Sequence, residues 1–98
     1  MNNPDSTFYT FRGWVLSDDL QKSIDRYVKH RIPPGDFLLS CLCNNLSEAV
    51  SRADVYNYAS IPVITSYLLN RVPAQCWGSA EAVRAWLNGR PDDDEHFD

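Results

Sequence analysis

Apolar residues recur at helical spacing over most of the chain, and prolines and polar pairs divide the pattern into segments. The first apolar stripe consists of Leu20, Ile24, Tyr27 and Val28, and charged residues occupy the other faces of the same segment. Ser17 stands where an N-cap is expected, and the basic run at residues 29–31 suits a helix C-terminus. The pattern predicts one amphipathic helix between these two signals.

The segment IPPGDFLLSCLCNN, residues 32–45, predicts a second helix with a rigid start. Pro33 disfavours the helical conformation at Ile32, and Pro34 suits the first position of a new helix, where its missing N–H costs nothing. The helix is expected over residues 34–44. Its positions are apolar nearly all round, which predicts a central, buried helix; the apolar set is Phe37, Leu38, Leu39, Cys41, Leu42 and Leu46.

Two further helices are predicted beyond the asparagine pair. Asn45 and Glu48 have the spacing of a capping box. An apolar stripe follows at Leu46, Ala49, Val50 and Ala53. Asp54 is a candidate cap for the next segment, in which Pro62 is expected to cause a break near Ser60. Beyond that break, the spacing of Ile64, Leu68 and Val72 predicts a helix that stops at Pro73.

The last unit, VPAQCWGSAEAVRAWLNGRP, predicts a short helix that Ser79 caps. Val83, Trp86 and Leu87 are expected to face inward, and Gly89 to adopt the left-handed conformation that ends many helices. No segment shows the sustained alternation of a sheet. The predicted fold class is therefore all-α, a compact single domain of four or five short helices with short connections.

Two terminal regions flank this helical domain, which we place at residues 17–90. Residues 1–16 form an aromatic N-terminal arm, in which Gly13 interrupts any helix. We expect a short strand or an ordered arm packed within the monomer, in preference to an arm exchanged within a homo-oligomer. Residues 91–98, PDDDEHFD, carry five acids and no lysine or arginine, which predicts a disordered acidic tail. A DNA-mimicking or arginine-binding tail is the alternative.

Composition limits the classes of protein that the chain can belong to. A length of 98 residues favours one domain, and a hydrophobic content of 44% supplies one modest core. No stretch approaches the roughly 20 apolar residues of a membrane span. The first residues lack the basic and apolar regions of a secretory signal, and three cysteines, an odd number, favour reduced thiols. These features predict a cytoplasmic protein.

The chain lacks the usual motifs of catalysis and cofactor binding. No phosphate-binding loop, dinucleotide motif or zinc-protease motif occurs. The chain has only two histidines, which are few candidates for acid–base catalysis. Cys41 and Cys43 point to different sides of a helix, so burial explains them better than metal binding. We therefore expect no enzyme, no metal and no cofactor. Nucleic-acid binding is disfavoured because most basic residues are scattered. One dense cluster occurs, for which compensation of the helix dipole is a better explanation than phosphate contact; it comprises Arg26, Lys29, His30 and Arg31.

Two groups of polar residues are candidate ligand-binding sites. The first lies at the predicted helix junction and comprises Asn44, Asn45, Arg52, Asp54 and Asn57; the second is the helix start at Trp77 and Ser79. An arginine can hold phosphate or carboxylate, helix N–H groups can hold an anion, and an indole can stack on a base. The structural alternative is that the small polar residues cap helices, that Arg52 pairs with Glu48, and that Trp77 fills the core.

A resemblance extends over residues 26–87. The runs RYVKHRIPPGDFLLSCLCNNLSEAVSRAD and YLLNRVPAQCWGSAEAVRAWL are similar to short, uncharacterised proteins of tailed phages and prophages. The shared features are the IPPG helix entry, the N-[ND]-L junction with a downstream RAD, and CWGS before a short helix. The arm and the tail fall outside the resemblance. It implies a small accessory protein that acts on the host, often against its defences, and it carries over no catalytic residue.

Three functions agree with these features. The first is a non-enzymatic counter-defence protein of the host cytoplasm that sequesters a nucleotide-type signal molecule. The second is an inhibitor that binds a host defence or regulatory protein directly, and the third is a small DNA-associated phage regulator. We favour the first slightly, because the polar residues are predicted at helix junctions and not around one broad apolar face.

Overall fold

A computed structural model of the chain describes residues 8–89, which are mainly helical. Residues 1–7 of the predicted arm and the predicted tail at 91–98 lie outside this range. The order of elements is β1 (Thr10–Phe11), β2 (Trp14–Val15), α1 (Asp18–His30), α2 (Asp36–Leu42), α3 (Leu46–Arg52), α4 (Val55–Arg71) and α5 (Ala80–Asn88). A 3-10 turn at Ala74–Cys76 precedes α5. The predicted helical fold is confirmed for the described residues, with a small sheet added.

The described part of the N-terminal arm is an antiparallel hairpin that packs on α4. Phe11 pairs with Trp14, so Arg12 and Gly13 form a two-residue turn. Both turn residues have positive φ, 52° and 85°, the combination that matches the twist of the flanking strands. The short strand expected in this arm is present, although strands of two residues are too short for the alternation by which a sequence pattern predicts a sheet. The chain then enters the core at Leu16, which is fully buried.

Helix α1 begins and ends where its sequence signals predict. The Ser17 hydroxyl accepts a hydrogen bond from the Leu20 N–H at 3.2 Å, which confirms the N-cap. Ile24 and Tyr27 are fully buried. The last residue of the helix is His30. The next residue, Arg31, turns the chain out of the helix with a φ of 58° while its N–H donates to the Tyr27 carbonyl. Arg31 is therefore the cap of α1 and not part of its last turn.

Helix α2 is buried as predicted but begins later. Gly35 is its N-cap and Asp36 its first residue, so the prediction that Pro34 occupies the first helical position is wrong. The two prolines instead form an extended entry before the cap. Helix α2 contributes four buried side chains, which are Phe37, Leu38, Cys41 and Leu42. The prediction that Leu46 shares this burial is also wrong, since Leu46 begins α3 and is 66% exposed.

Helix α3 has the predicted cap but not the predicted apolar face. The Asn45 side-chain oxygen accepts from the Glu48 N–H at 3.2 Å. Of the predicted stripe only Ala49 is buried in α3, whereas Leu46 and Val50 are exposed. Because this seven-residue helix packs on the core through the small side chain of Ala49, the larger side chains of Leu46 and Val50 stay outside the contact.

Helix α4 is continuous, so the predicted break near Ser60 is wrong. It runs for 17 residues with Pro62 inside, and the Asp54 carboxylate caps it by accepting from the Tyr56 and Asn57 N–H groups. Proline removes the N–H that would bond to the carbonyl of Tyr58. Pro62 and Tyr58 are both exposed, so that carbonyl lies on the side of the helix open to solvent and the helix persists.

Helix α5 closes the fold against α1. The Ser79 hydroxyl accepts from the Ala82 N–H at 3.0 Å, and Val83 is buried, as predicted. The predicted left-handed Gly89 is wrong, because its φ is −91°. The Arg31 side chain donates to the carbonyls of Trp86 and Gly89, which satisfies the helix end without a left-handed residue. A Cβ on Gly89 would lie 2.8 Å from the Ala85 carbonyl oxygen, so close approach explains the glycine.

The core lies where α1, α2 and α4 meet, with the turn before α5 beneath them. Its fully buried side chains are Leu16, Ile24, Tyr27, Leu42, Val63, Ile64, Leu68 and Cys76. The Tyr27 hydroxyl is satisfied inside the core by donating to the Cys76 carbonyl at 2.7 Å. Among residues 8–89, no helix has the length and apolar character needed to cross a membrane.

Candidate ligand-binding site

The polar residues of the predicted junction have mostly local roles. Asn45 and Asp54 use their side-chain oxygens as helix caps, and Asn44 occupies the left-handed turn between α2 and α3 with a φ of 60°. Asn57 is half-buried in the first turn of α4. The capping alternative therefore accounts for Asn45 and Asp54, and the structure does not gather the five predicted residues around one cavity.

Arg52 is engaged by two carboxylates. Its Nε donates to Glu48 at 2.8 Å, and its Nη1 lies 3.4 Å from Asp36 on α2. These bonds and charges hold the pKa of Arg52 above its usual value, with the Glu48 hydrogen bond as the main cause. The ion pair of Arg52 with Glu48, which is the structural alternative to ligand binding, is therefore present. Two acids face one base here, so the guanidinium has no surplus charge for an anion.

A shallow groove nevertheless lies between part of the first predicted site and Ala80, the residue that follows Ser79. It occupies about 500 Å³, open solvent included, and its lining comprises Asp36, Leu39, Ser40, Cys43, Asn45, Glu48, Arg52 and Ala80. The start of α5 therefore lies beside the α2–α3 junction, which the sequence pattern does not predict. Trp77 is half-buried against the core, and the Ser79 hydroxyl is committed to its helix cap.

A smaller cleft lies on the other side of α3. It is lined in part by Asn44, Asn45, Leu46 and Ile61 and encloses about 250 Å³ even with open solvent included. Pockets that hold drug-sized ligands occupy roughly 300–1,000 Å³. This cleft is therefore too small for a nucleotide.

The third depression is basic and lies along α1. Its lining residues are Lys22, Asp25, Arg26, Lys29 and His30, and it occupies about 510 Å³, open solvent included. Spacings of four and three residues place Lys22, Arg26 and Lys29 on one face of the helix. The expectation of scattered bases is therefore wrong for α1, although this spacing is visible in the sequence. We call this surface the α1 basic cleft.

The charges of the α1 basic cleft are only partly compensated. Lys22 pairs with Asp18 at 3.0 Å, but no ion pair within the described range 8–89 involves Arg26, Lys29 or His30. The Asp25 carboxylate accepts a hydrogen bond from the Tyr67 hydroxyl of α4 at 2.7 Å. Burial, followed by this contact, raises the pKa of Tyr67, so the phenol stays neutral. Among the described residues, Arg26 and Lys29 are thus the charges that a ligand can reach without displacing an ion pair, whereas contact with Lys22 replaces its exposed pair with Asp18.

A polar network that no sequence pattern predicts fastens the hairpin to α4. The Tyr9 hydroxyl bonds with Ser66 and accepts from the Asn70 amide at 3.0 Å, and the Arg71 guanidinium lies 5.2 Å from the Tyr9 ring centre. The hydrogen bonds from Ser66 and Asn70 lower the pKa of Tyr9. Tyr9 lies 61 residues from Asn70 in sequence, and no local signal indicates such a contact.

The burial of the cysteines indicates that they contribute to packing. All three are free thiols, with Cys41 and Cys76 buried and Cys43 half-buried. Burial raises the pKa of the Cys41 thiol to about 11, which makes it a poor nucleophile at neutral pH. In the part of the chain that the structure describes, no three His, Cys, Asp or Glu residues cluster as metal ligands would.

Comparison of the chain with protein-family models, with curated proteins and with solved structures finds no match. Function must therefore be inferred from the surfaces described above, of which the α1 basic cleft is the most strongly charged.

Proposed function

We propose that the protein is a non-enzymatic binding protein that sequesters a nucleotide-type signal molecule, and that the α1 basic cleft holds the phosphates. The observation that supports this proposal is the exposed row of Arg26 and Lys29 without acidic partners among the described residues. Arginine and lysine are the side chains that proteins use to bind phosphate. The resemblance of residues 26–87 to phage proteins supports a counter-defence role, in which the signal would be one that a host defence system makes.

The length of the cleft favours a ligand with more than one phosphate. Lys22 and Lys29 are seven residues apart, which is about 10 Å along a helix. Basic groups spread over that distance can contact two separated phosphates, which one inorganic phosphate cannot bridge. His30 at the same end adds imidazole nitrogens, one of which can donate a hydrogen bond to a phosphate oxygen.

The groove at Arg52 is the weaker location for an anion. Asp36 and Glu48 line it beside Arg52, so a phosphate there would displace existing ion pairs and meet two carboxylates. This comparison provides a matched pair of variants. Arg26 and Arg52 are both exposed helical arginines, and only Arg52 has acidic partners among the described residues.

The experiment is a thermal-shift screen of the full chain against cyclic and linear nucleotides, followed by calorimetric titration of any hit. A ligand at 100 times its Kd stabilises a protein by about 2.7 kcal/mol. We expect Arg26→Ala to weaken binding at least tenfold, about 1.4 kcal/mol, and Arg52→Ala to leave the affinity unchanged.

Three outcomes decide against parts of the proposal. The opposite ranking of the two arginine variants would move the site to the groove at Arg52. No stabilisation by any cyclic or linear nucleotide would overturn sequestration. Binding to duplex DNA with comparable affinity and a steep dependence on salt would favour the DNA-associated regulator instead.

A further inference from the structure

The end of α5 lies beside the end of α1, at the point where the α1 basic cleft begins. The Arg31 guanidinium donates to the Gly89 carbonyl, so the two helix ends are within the reach of one arginine side chain. The Trp86 indole holds them together with a second hydrogen bond, which it donates to the Tyr27 carbonyl at 3.1 Å. His30, which lines the cleft, directly precedes Arg31. The described range therefore ends next to the basic surface of α1.

The sequence that follows Gly89 has the charge opposite to that of the cleft. Residues 92–95 are four consecutive acids, which we call the acidic segment. Arg26 and Lys29 of the cleft are exposed and form no ion pair within residues 8–89. The acidic segment thus supplies the carboxylates that these two bases do not find in the described part of the chain.

The acidic segment is close enough and long enough to reach the whole cleft. Arg31 and Lys22 are nine residues apart, which is about 14 Å along a helix. Residues 90–95 can span about 20 Å when extended. Four consecutive residues cover about 10 Å of extended chain, and Lys22 and Lys29 are also about 10 Å apart. The carboxylates can therefore contact the bases along the full length of the cleft.

We propose that the acidic segment binds in the α1 basic cleft of its own chain and competes there with external anions. A segment on so short a connection has an effective concentration in the millimolar range, so weak contacts suffice to occupy the cleft. Exposed ion pairs contribute little to stability, so the acidic segment acts as a competitor and not as part of the core. The binding itself needs no other molecule; only the competition rests on the proposed function.

The primary test is carbodiimide cross-linking of the full chain, because the two lysines of the chain, Lys22 and Lys29, both line the cleft. The reagent joins a carboxylate to a lysine amine when the two groups are in contact. At about 5 µM protein, far below the effective concentration, the acidic segment should couple to Lys29 within one chain. Peptide mass spectrometry identifies the joined residues. Coupling of Lys22 to Asp18, which lie 3.0 Å apart, serves as the internal standard.

The matched control is Arg84→Lys, which keeps the charge and adds an amine on an exposed position of α5. Arg84 precedes Gly89 by five residues, so a segment without a preferred contact would couple to this amine at least as often as to Lys29. We expect Lys29 to couple about fivefold more at low salt and the preference to vanish near 1 M salt, where the Debye length is about 3 Å. Arg26→Gln should lower the coupling to Lys29 several-fold.

Three results would overturn the proposal. The first is equal coupling to Lys29 and to the amine that Arg84→Lys introduces. The second is coupling to Lys29 that Arg26→Gln leaves unchanged. The third is cross-linking mainly between two chains at about 5 µM, which would assign the acidic segment to a second molecule. Because no nucleotide is present, these results are independent of the thermal-shift screen, and failure of one proposal is distinguishable from failure of the other.

Discussion

Leu42 and Leu46 lie one helical turn apart in sequence, yet they have opposite environments. Leu42 is fully buried, whereas Leu46 is 66% exposed. We expect Leu42→Ala to lower the free energy of unfolding by about 2–5 kcal/mol, because it removes buried methyl groups and leaves a cavity. Leu46→Ala should change it by less than about 0.5 kcal/mol. Urea melts of both variants and the wild type provide the measurement. Equal losses in the two variants would contradict the observed position of α2.

Alkaline pH should destabilise the protein through groups that are buried in neutral form. Burial raises the pKa of Cys41 from 9.0 to about 11, and it also raises the pKa of Tyr27 and Tyr67. A group whose pKa is raised in the folded state stabilises fully below its unfolded pKa and less as pH increases. The free energy of unfolding should therefore be constant up to about pH 8 and fall between about pH 9 and pH 11.

Thermal or urea melts at several pH values would measure this decline. Tyr67→Phe is the informative variant, since it removes one titrating group from a partly buried site and should make the decline shallower. A free energy of unfolding that stays constant to about pH 10.5 would contradict the neutral burial of these three groups.

At the scale of elements, the hairpin depends on one glycine. Gly13 has a φ of 85°, and a Cβ added at this position would meet no atom within 4 Å, so only its backbone conformation requires glycine. Gly13→Ala should destabilise the protein by about 1–2 kcal/mol. Gly35→Ala is the matched control, because Gly35 has an ordinary φ of −65° and equally open surroundings. It should shift the free energy of unfolding by no more than about 0.5 kcal/mol. Equal effects in thermal melts would contradict the turn geometry.

The elements that the sequence predicts well are those with local causes. The caps at Ser17, Asn45, Asp54 and Ser79 are predictable because a cap involves residues within one turn. The continuity of α4 through Pro62 is not predictable from the sequence, because it depends on which side of the helix faces solvent.

The candidate site is harder to predict than the caps. Arg52 is the anion partner that the sequence favours, but Asp36 lies 16 residues away in sequence, and its approach depends on how α2 meets α3. The row formed by Lys22, Arg26 and Lys29 is visible from spacing alone. In the sequence it merges with the basic helix terminus, because Arg31 follows directly, whereas in the structure Arg31 turns toward α5.

At the scale of the whole molecule, the acidic tail controls net charge. The chain carries −4, and residues 91–98 hold five acids and no lysine or arginine, so truncation after Arg90 leaves +1. We expect the truncated protein to keep its melting midpoint and to bind anionic ligands several-fold more tightly at low salt. The gain should vanish near 1 M salt, where the Debye length is about 3 Å.

A tail of equal length with the acids replaced by Asn and Gln separates charge from length, and it should behave like the truncation. A loss of several degrees in the melting midpoint on truncation would show that the tail contributes to the fold. An affinity that is independent of both tail and salt would contradict long-range attraction by the α1 basic cleft.

The two contacts that close the molecule, Tyr9 on α4 and Arg31 on α5, have a consequence for folding kinetics. They join residues up to 61 positions apart, whereas α2, α3 and α4 pack with near neighbours in sequence. Long loops close after local contacts form, so these contacts belong to the late part of the folding reaction. Tyr9→Phe, which removes the hydroxyl, should accelerate unfolding in stopped-flow experiments and leave refolding unchanged. Slower refolding would instead place the hairpin in the folding nucleus. The lifetime of the native state is then governed by the hairpin at residues 10–15, which is among the last elements to pack.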